Sequence, residues 1–166
     1  MTKHTGIMNR SNLIDEPIVE MILTKKYASS GISFIKDYKS SSTIYCVNGV
    51  RHNLVVKRNS SKYYNSHNFF ITLNKNNVDV FNNTVYAFID ETSSTIYLID
   101  GIALLKYIIE HKDELTQIED SKLSYILVPK TAIASMADSN HIIKYNSQFA
   151  ALFELCRDES NFTNLI

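Results

Sequence analysis

The stretch Thr43-Ile44-Tyr45-Cys46-Val47-Asn48-Gly49-Val50-Arg51-His52-Asn53-Leu54-Val55-Val56-Lys57 decides the reading of this chain. Asn-Gly between two runs rich in β-branched and aromatic residues is the strongest short signal for a two-residue hairpin, because both turn positions need positive φ. The spacing therefore predicts one strand over Thr43–Val47 and another over Arg51–Lys57, paired antiparallel. Upstream, Ile32, Phe34 and Lys36 alternate with period two and predict a strand, and Ser40-Ser41-Ser42 is a turn. Before that the period is helical. Ser11 or Asn12 caps a helix with Asp15, Glu16 and Pro17 in its first turn, and Ile18, Met21, Ile22 and Lys25 form its stripe. The helix ends near Tyr27–Ala28, and Ser29-Ser30-Gly31 stops it.

Downstream of the hairpin, residues 59–66 read as a polar loop and 67–73 as another strand. Val78–Phe81, Val85–Asp90 and Thr95–Ile99 are expected to be strands, with Glu91–Ser94 as a hairpin link. Asp100 caps a helix over about 101–112, with Ile102, Leu105 and Ile109 expected on its inner face. Tyr125–Val128 is a short strand closed by Pro129, and 131–137 is one or two helical turns. Asn146 or Ser147 caps a last helix, with Phe149, Leu152, Phe153 and Cys156 inward. The order predicts an α+β fold, a mixed central β-sheet flanked by helices. Residues 1–10 are expected to be a flexible tail and 11–166 a single domain.

Composition narrows the function classes. The 166 residues are 45% hydrophobic and 20% charged, which excludes a disordered or collagen-like chain. No apolar run approaches the ~18 residues of a membrane span, and the first ten residues carry no signal-peptide core. A cytoplasmic protein with no membrane partner is the expectation. Cys46 and Cys156 form no CxxC pair and are expected to be reduced, buried and inert. No glycine-rich phosphate loop is present, and no histidine pair has metal-ligand spacing. A lean toward Asn, Ile, Lys, Tyr and Ser is the mark of an AT-rich genome such as that of a phage or another mobile element.

The formal net charge is zero, yet it is divided. Residues 1–80 carry eleven Lys/Arg against five Asp/Glu, and residues 81–166 carry six against twelve. Between Arg51 and Lys75 there are five basic residues and no acid. A neutral total thus hides a basic half that can meet phosphate and an acidic half that can meet a basic protein. The candidate phosphate contacts are Lys36, Lys39, Arg51, Lys57, Arg58, Lys62 and His67, with Tyr63 and Tyr64 able to pack on sugar or base. Asp100 with Glu110-His111-Lys112 imitates an Asp…Glu-x-Lys motif, but on a helix Glu110 and Lys112 point to different faces.

A helix bearing Glu20, the Asn48–Gly49 hairpin, and the strand Leu54-Val55-Val56-Lys57-Arg58 together resemble the restriction-endonuclease-like, or PD-(D/E)XK, superfamily in its homing-endonuclease and resolvase forms. The resemblance spans about residues 12–130 and implies a metal site built from Glu20 and Asp37, with Lys57 assisting catalysis. It departs from the family at two places. Val55 stands where the family has Glu, Asp or Gln, and 40–47 lack the family's aspartate, leaving Asp37 as the nearest carboxylate. Valine holds no metal, and phosphodiester hydrolysis with Mg²⁺ needs hard oxygen ligands.

The reading is therefore a double-stranded-DNA-binding protein of a phage or mobile element on a catalytically degenerate nuclease scaffold, acting as a repressor or as a defence or counter-defence factor. No cofactor is expected in that case. The alternatives are a Mg²⁺-dependent DNA endonuclease with a rearranged site, and an inhibitor or immunity protein that binds a protein partner through its acidic half. A homodimer is expected because two-fold DNA sites pair with two-fold dimers.

Overall fold

The structure is a computed structural model and describes residues 15–29, 33–37, 42–47, 50–59, 67–73, 81–119 and 124–157. It is an α+β fold with a mixed central sheet flanked by helices. The elements are α1 (15–26), β1 (Ser33–Asp37), β2 (Ser42–Val47), β3 (Val50–Asn59), β4 (Asn68–Leu73), β5 (Thr84–Asp90) and β6 (Thr95–Asp100), then α2 (Gly101–Glu110), β7 (Gln117–Glu119), β8 (Ser124–Pro129), α3 (Lys130–Met136), β9 (Ile142–Lys144) and α4 (Ser147–Arg157).

The large sheet has the order β1-β2-β3-β5-β6-β9. Val47 pairs with Val50, so β2 and β3 close over the two-residue Asn-Gly link, which itself lies outside the described residues. β3 and β5 run parallel, with Lys57 opposite Phe88, and every other pairing in this sheet is antiparallel. A parallel neighbour needs a crossover, and here the crossover passes through β4. β4 belongs to a second, three-stranded antiparallel sheet with the order β4-β8-β7.

Two apolar cores lie on opposite faces of the large sheet, as strand alternation requires. On one face Leu54, Val56, Ala87, Ile89, Ile96 and Leu98 meet α1 and α4 through Ile18, Val19, Ile22, Leu23 and Phe153. On the other, Tyr86, Phe88 and Ile99 meet α2, α3 and the small sheet through Leu104, Ile108, Ile133, Phe69, Ile126 and Val128. β5 is buried on both faces, which is why 85–89 reads as a continuous apolar run rather than an alternation.

Several expectations change. On α1 the buried positions are Ile18, Val19, Ile22 and Leu23, while Met21 is 55% exposed and Lys25 is exposed. On α2 the inner face is Gly101, Leu104 and Ile108, one position away from the expected stripe, and the helix ends at Glu110. The cause is Gly101. Its lack of a side chain lets the helix start press onto the chain at Phe81 and Thr84, and that contact sets the rotation. Leu152 of α4 is exposed beside the buried Phe153, and the Cys156 side chain lies outside the described residues. Cys46 is a half-buried free thiol. Of the expected strand Val78–Phe81, Phe81 is buried in a helical turn and 78–80 lie outside the described residues. Of the expected caps, Ser11 and Asn12 lie outside the described residues, and the other two are present. Asp100 accepts from the Ala103 amide at 3.3 Å, and Asn146 accepts from the Gln148 and Phe149 amides at 3.1 Å each. No helix among the described residues is long and apolar enough to cross a membrane.

Gly101→Ala would drive a methyl into the backbone oxygen of Phe81, with the Thr84 oxygen 2.9 Å away. Backbone cannot swing aside as a side chain can, so the substitution is expected to cost roughly 2–3 kcal/mol, the range of an overpacked core. Denaturant unfolding measures this, and an unchanged midpoint would show that the α2 start is free to shift.

Candidate functional site

The polar centre of the molecule is built on the end of β3. Leu54, Val56 and Arg58 alternate onto the α1/α4 face, while Val55 and Lys57 alternate onto the other. Arg58 thus enters an apolar layer, and its side chain is 7% exposed. Nε donates to Glu91 Oε1, Nη1 donates to Asp15 Oδ1 at 3.3 Å, and Nη2 donates to the Phe153 carbonyl. The group lies 5.8 Å from the centre of the Phe153 ring. One planar fork therefore joins the first turn of α1, the β5–β6 turn and α4, a geometry a lysine does not supply.

Asp15 is fully buried, and its Oδ2 has no hydrogen-bond partner among the described residues. Burial pushes its pKa up to about 6; the Arg58 charge pulls it down, and Glu16 adds a smaller upward push. Desolvation outweighs attraction here because Arg58 is shared with Glu91 and meets only one of the two Asp15 oxygens. Tyr145, on the same core, is pushed up to about 12 by burial.

A second polar cluster lies at the end of β5. Asp90 accepts from the Thr92 hydroxyl at 2.6 Å, the Thr92 amide at 3.2 Å, the Ser93 hydroxyl at 2.9 Å and Lys130 Nζ at 3.3 Å. Burial raises its pKa, but these hydrogen bonds and the Lys130 charge outweigh it and hold the carboxyl below the usual range. Lys130 also donates to Thr92 Oγ1 at 3.0 Å.

The residues expected from the sequence fall as follows. Lys57 is partly buried on the face opposite Arg58, and desolvation lowers its pKa. Val55 packs against the second core and offers no ligand. Glu20 is half-buried on α1, so the sheet lies between α1 and the face that Lys57 occupies. Asp37 pairs with Ser42 on the edge strand, and its side chain lies outside the described residues. Thr43 pairs with Leu54, so two strand spacings of about 4.8 Å put the Asp37 backbone roughly 10 Å across the sheet from β3. The structure does not bring Glu20 and Lys57 together, and among the described residues no three His, Cys, Asp or Glu side chains could hold a metal ion. Arg51 and His67 are exposed. The Lys36 side chain, and residues Lys39, Lys62, Tyr63 and Tyr64, lie outside the described residues.

The sequence presents Arg58 as a phosphate contact, and the structure turns it inward. The missed signal was parity: a cation two residues after Leu54-x-Val56 shares their buried face. Asp15 and Glu91 read as an ordinary first-turn acid and a turn acid, and nothing local marks them as its partners.

No protein-family model matches this chain, and no curated protein matches it in sequence. Among solved structures, a nuclease from a fusselovirus is similar at 13% identity and a TM-score of 0.46, over 96% of this chain and 95% of that one. Likeness at that level identifies neither a family nor an activity.

Asp15 has a folded pKa of about 6 against an ordinary 3.8. A raised pKa means that the folded state holds the proton more tightly. Its contribution is fully present below about pH 4 and is lost as pH rises through 6, a swing of roughly 3 kcal/mol against folding. Asp15→Asn is expected to remove that part of the pH dependence, read as the difference between variant and parent unfolding free energies from pH 4 to 7. Arg58→Met, which leaves buried carboxylates unmatched, should cost about 3–5 kcal/mol at pH 7.

Proposed function

We propose that the chain binds double-stranded DNA on a nuclease-like scaffold without cutting it, as a repressor or a defence or counter-defence factor of a phage or mobile element. The observation that carries the reading is the state of β3. The position two before Lys57 is an apolar valine seated in a core, and the cation after Lys57 is consumed by internal carboxylates. The strand that the superfamily resemblance selects for chemistry thus serves packing here. Glu20, Asp37 and Lys57 are the remnant of a metal site rather than a working one.

What remains for DNA is the basic half. Arg51 on β3 and His67 before β4 are exposed, and Lys36, Lys39 and Lys62 extend the same charge along the chain. Tyr63 and Tyr64 supply rings for sugar or base contact. Phosphate contacts of this kind give affinity and register without reading sequence. Two copies on a two-fold site would double the contacts. A second reading rests on the exposed Asp113, Glu114 and Glu119, an acidic surface suited to a basic protein partner.

The test is an electrophoretic shift on duplex and branched DNA at low salt, with and without Mg²⁺. A shifted, uncut band is expected in both lanes. Replacing Lys39, Arg51 and Lys62 by Ala together should weaken binding and reduce the salt slope by about one per lost phosphate contact. Product formed only with Mg²⁺ would replace this reading with an endonuclease. No shift at all would remove DNA from the account and favour the acidic surface.

A further inference from the structure

α2 buries Gly101, Leu104 and Ile108, yet it is apolar on its outer side as well. Ile102 and Ile109 are 43% and 59% exposed, and Leu105 beside them is half-buried. At 100° per residue, Ile102 and Ile109 lie within about 20° of one line along the helix. Lys106 and Glu110 are exposed on one flank of that line, a turn apart. Neither is held in an ion pair among the described residues. Single exposed apolar residues need no explanation, but a stripe with opposite charges along one flank is the pattern of a helix that faces another helix.

We propose that this face of α2 pairs antiparallel with α2 of a second copy of the chain, about a two-fold axis near Ile108. An axis there sets each Lys106 level with the partner's Glu110 and the two Ile109 side chains about 3 Å apart along the seam, while each Ile102 lies past the end of the partner's α2. A two-fold keeps the same flank of both helices on the same side, so two identical Lys–Glu pairs form. A parallel pair in register would instead carry the charged flanks to opposite sides of the seam, so that neither Lys106 nor Glu110 meets its opposite charge. The charge order therefore selects the antiparallel, self-complementary arrangement. A contact made mainly by one short helix falls below the ~1,200 Å² of a standard stable interface, so the dimer is a concentration-dependent one. The pairing does not depend on DNA binding, and its test contains no DNA.

Sedimentation equilibrium over a wide range of protein concentration reads the association. The parent chain should shift from monomer toward dimer as concentration rises. Ile109→Glu and Lys106→Glu should each remain monomeric while keeping the parent's circular dichroism spectrum, since both sites are exposed. The reversal of both charges, Lys106→Glu with Glu110→Lys, should restore the dimer, a rescue that a merely destabilised helix would not show. A parent that stays monomeric, a dimer that persists in Ile109→Glu, or a double reversal that fails to recover association would each overturn the proposal.

Discussion

The burial of one guanidinium sets the terms for the rest of this molecule. Arg58 leaves water at the end of a strand whose preceding inward residues are Leu54 and Val56. A buried cation is tolerated only when its donors are met, and Asp15, Glu91 and the Phe153 carbonyl meet them from three separate elements. Those elements are far apart in sequence: the first turn of α1, the turn after β5, and the last helix. The apolar faces of α1 and α4 would adhere to any comparable surface, because hydrophobic burial has no direction. The arginine fork has direction, and it gives those two helices one defined placement over the sheet.

The β5–β6 turn carries this constraint through the sheet. Glu91 faces the α1/α4 side through Arg58, while Asp90, one residue earlier, binds Lys130 at the start of α3 on the other side. Lys144 of β9 donates to the Ser93 carbonyl at 3.3 Å, and the Tyr145 amide donates to the Ser94 carbonyl at 3.0 Å. Ser94 has a φ of 50°, a left-handed conformation that a serine adopts only when its surroundings hold it there. Four short links thus converge on a turn of four residues. The two cores share β5 and β6 as a wall, and this turn keeps the layers on both sides of that wall in register.

The sequence disclosed what local physics controls. The Asn-Gly hairpin, the period-two strands, the Asp100 and Asn146 caps and the α+β class were all legible, because each depends on residues within a turn of one another. Of the small sheet, β4 and β8 were legible as strands but β7 was not, since Gln117–Glu119 carries no apolar alternation and becomes a strand only by pairing with β8. The rotation of α2 was missed for a similar reason. Ile102 and Ile109 are as apolar as Leu104 and Ile108, and only the close seat of Gly101 on Phe81 and Thr84 decides which pair turns inward. At the candidate site, Lys57 was found by its offset from a hairpin, whereas the polar assembly formed around its neighbour. Asp15 and Glu91 stand 43 and 33 residues from Arg58. Partners at such separations leave no trace in a single sequence.

That one-residue difference bears on chemistry as well as on reading. Lys57 and Arg58 are adjacent cations, and the pleat sends them to opposite faces. Carboxylates gather on the Arg58 face, where two of them meet a monocation that never loses its charge at ordinary pH. Their attraction is spent inside the fold, on holding α1 and α4, and burial raises the pKa of Asp15 by more than the Arg58 charge lowers it. On the Lys57 face the neighbours are Val55 and Phe88, which neither charge nor hydrogen-bond an ammonium, and its pKa falls accordingly. A hydrolytic metal centre needs carboxylates and a lysine on one face of one sheet. In the described part of this chain, Asp15 and Glu91 lie with Arg58 on one face and Lys57 on the other, and Asp90, which shares the Lys57 face, is held by Lys130.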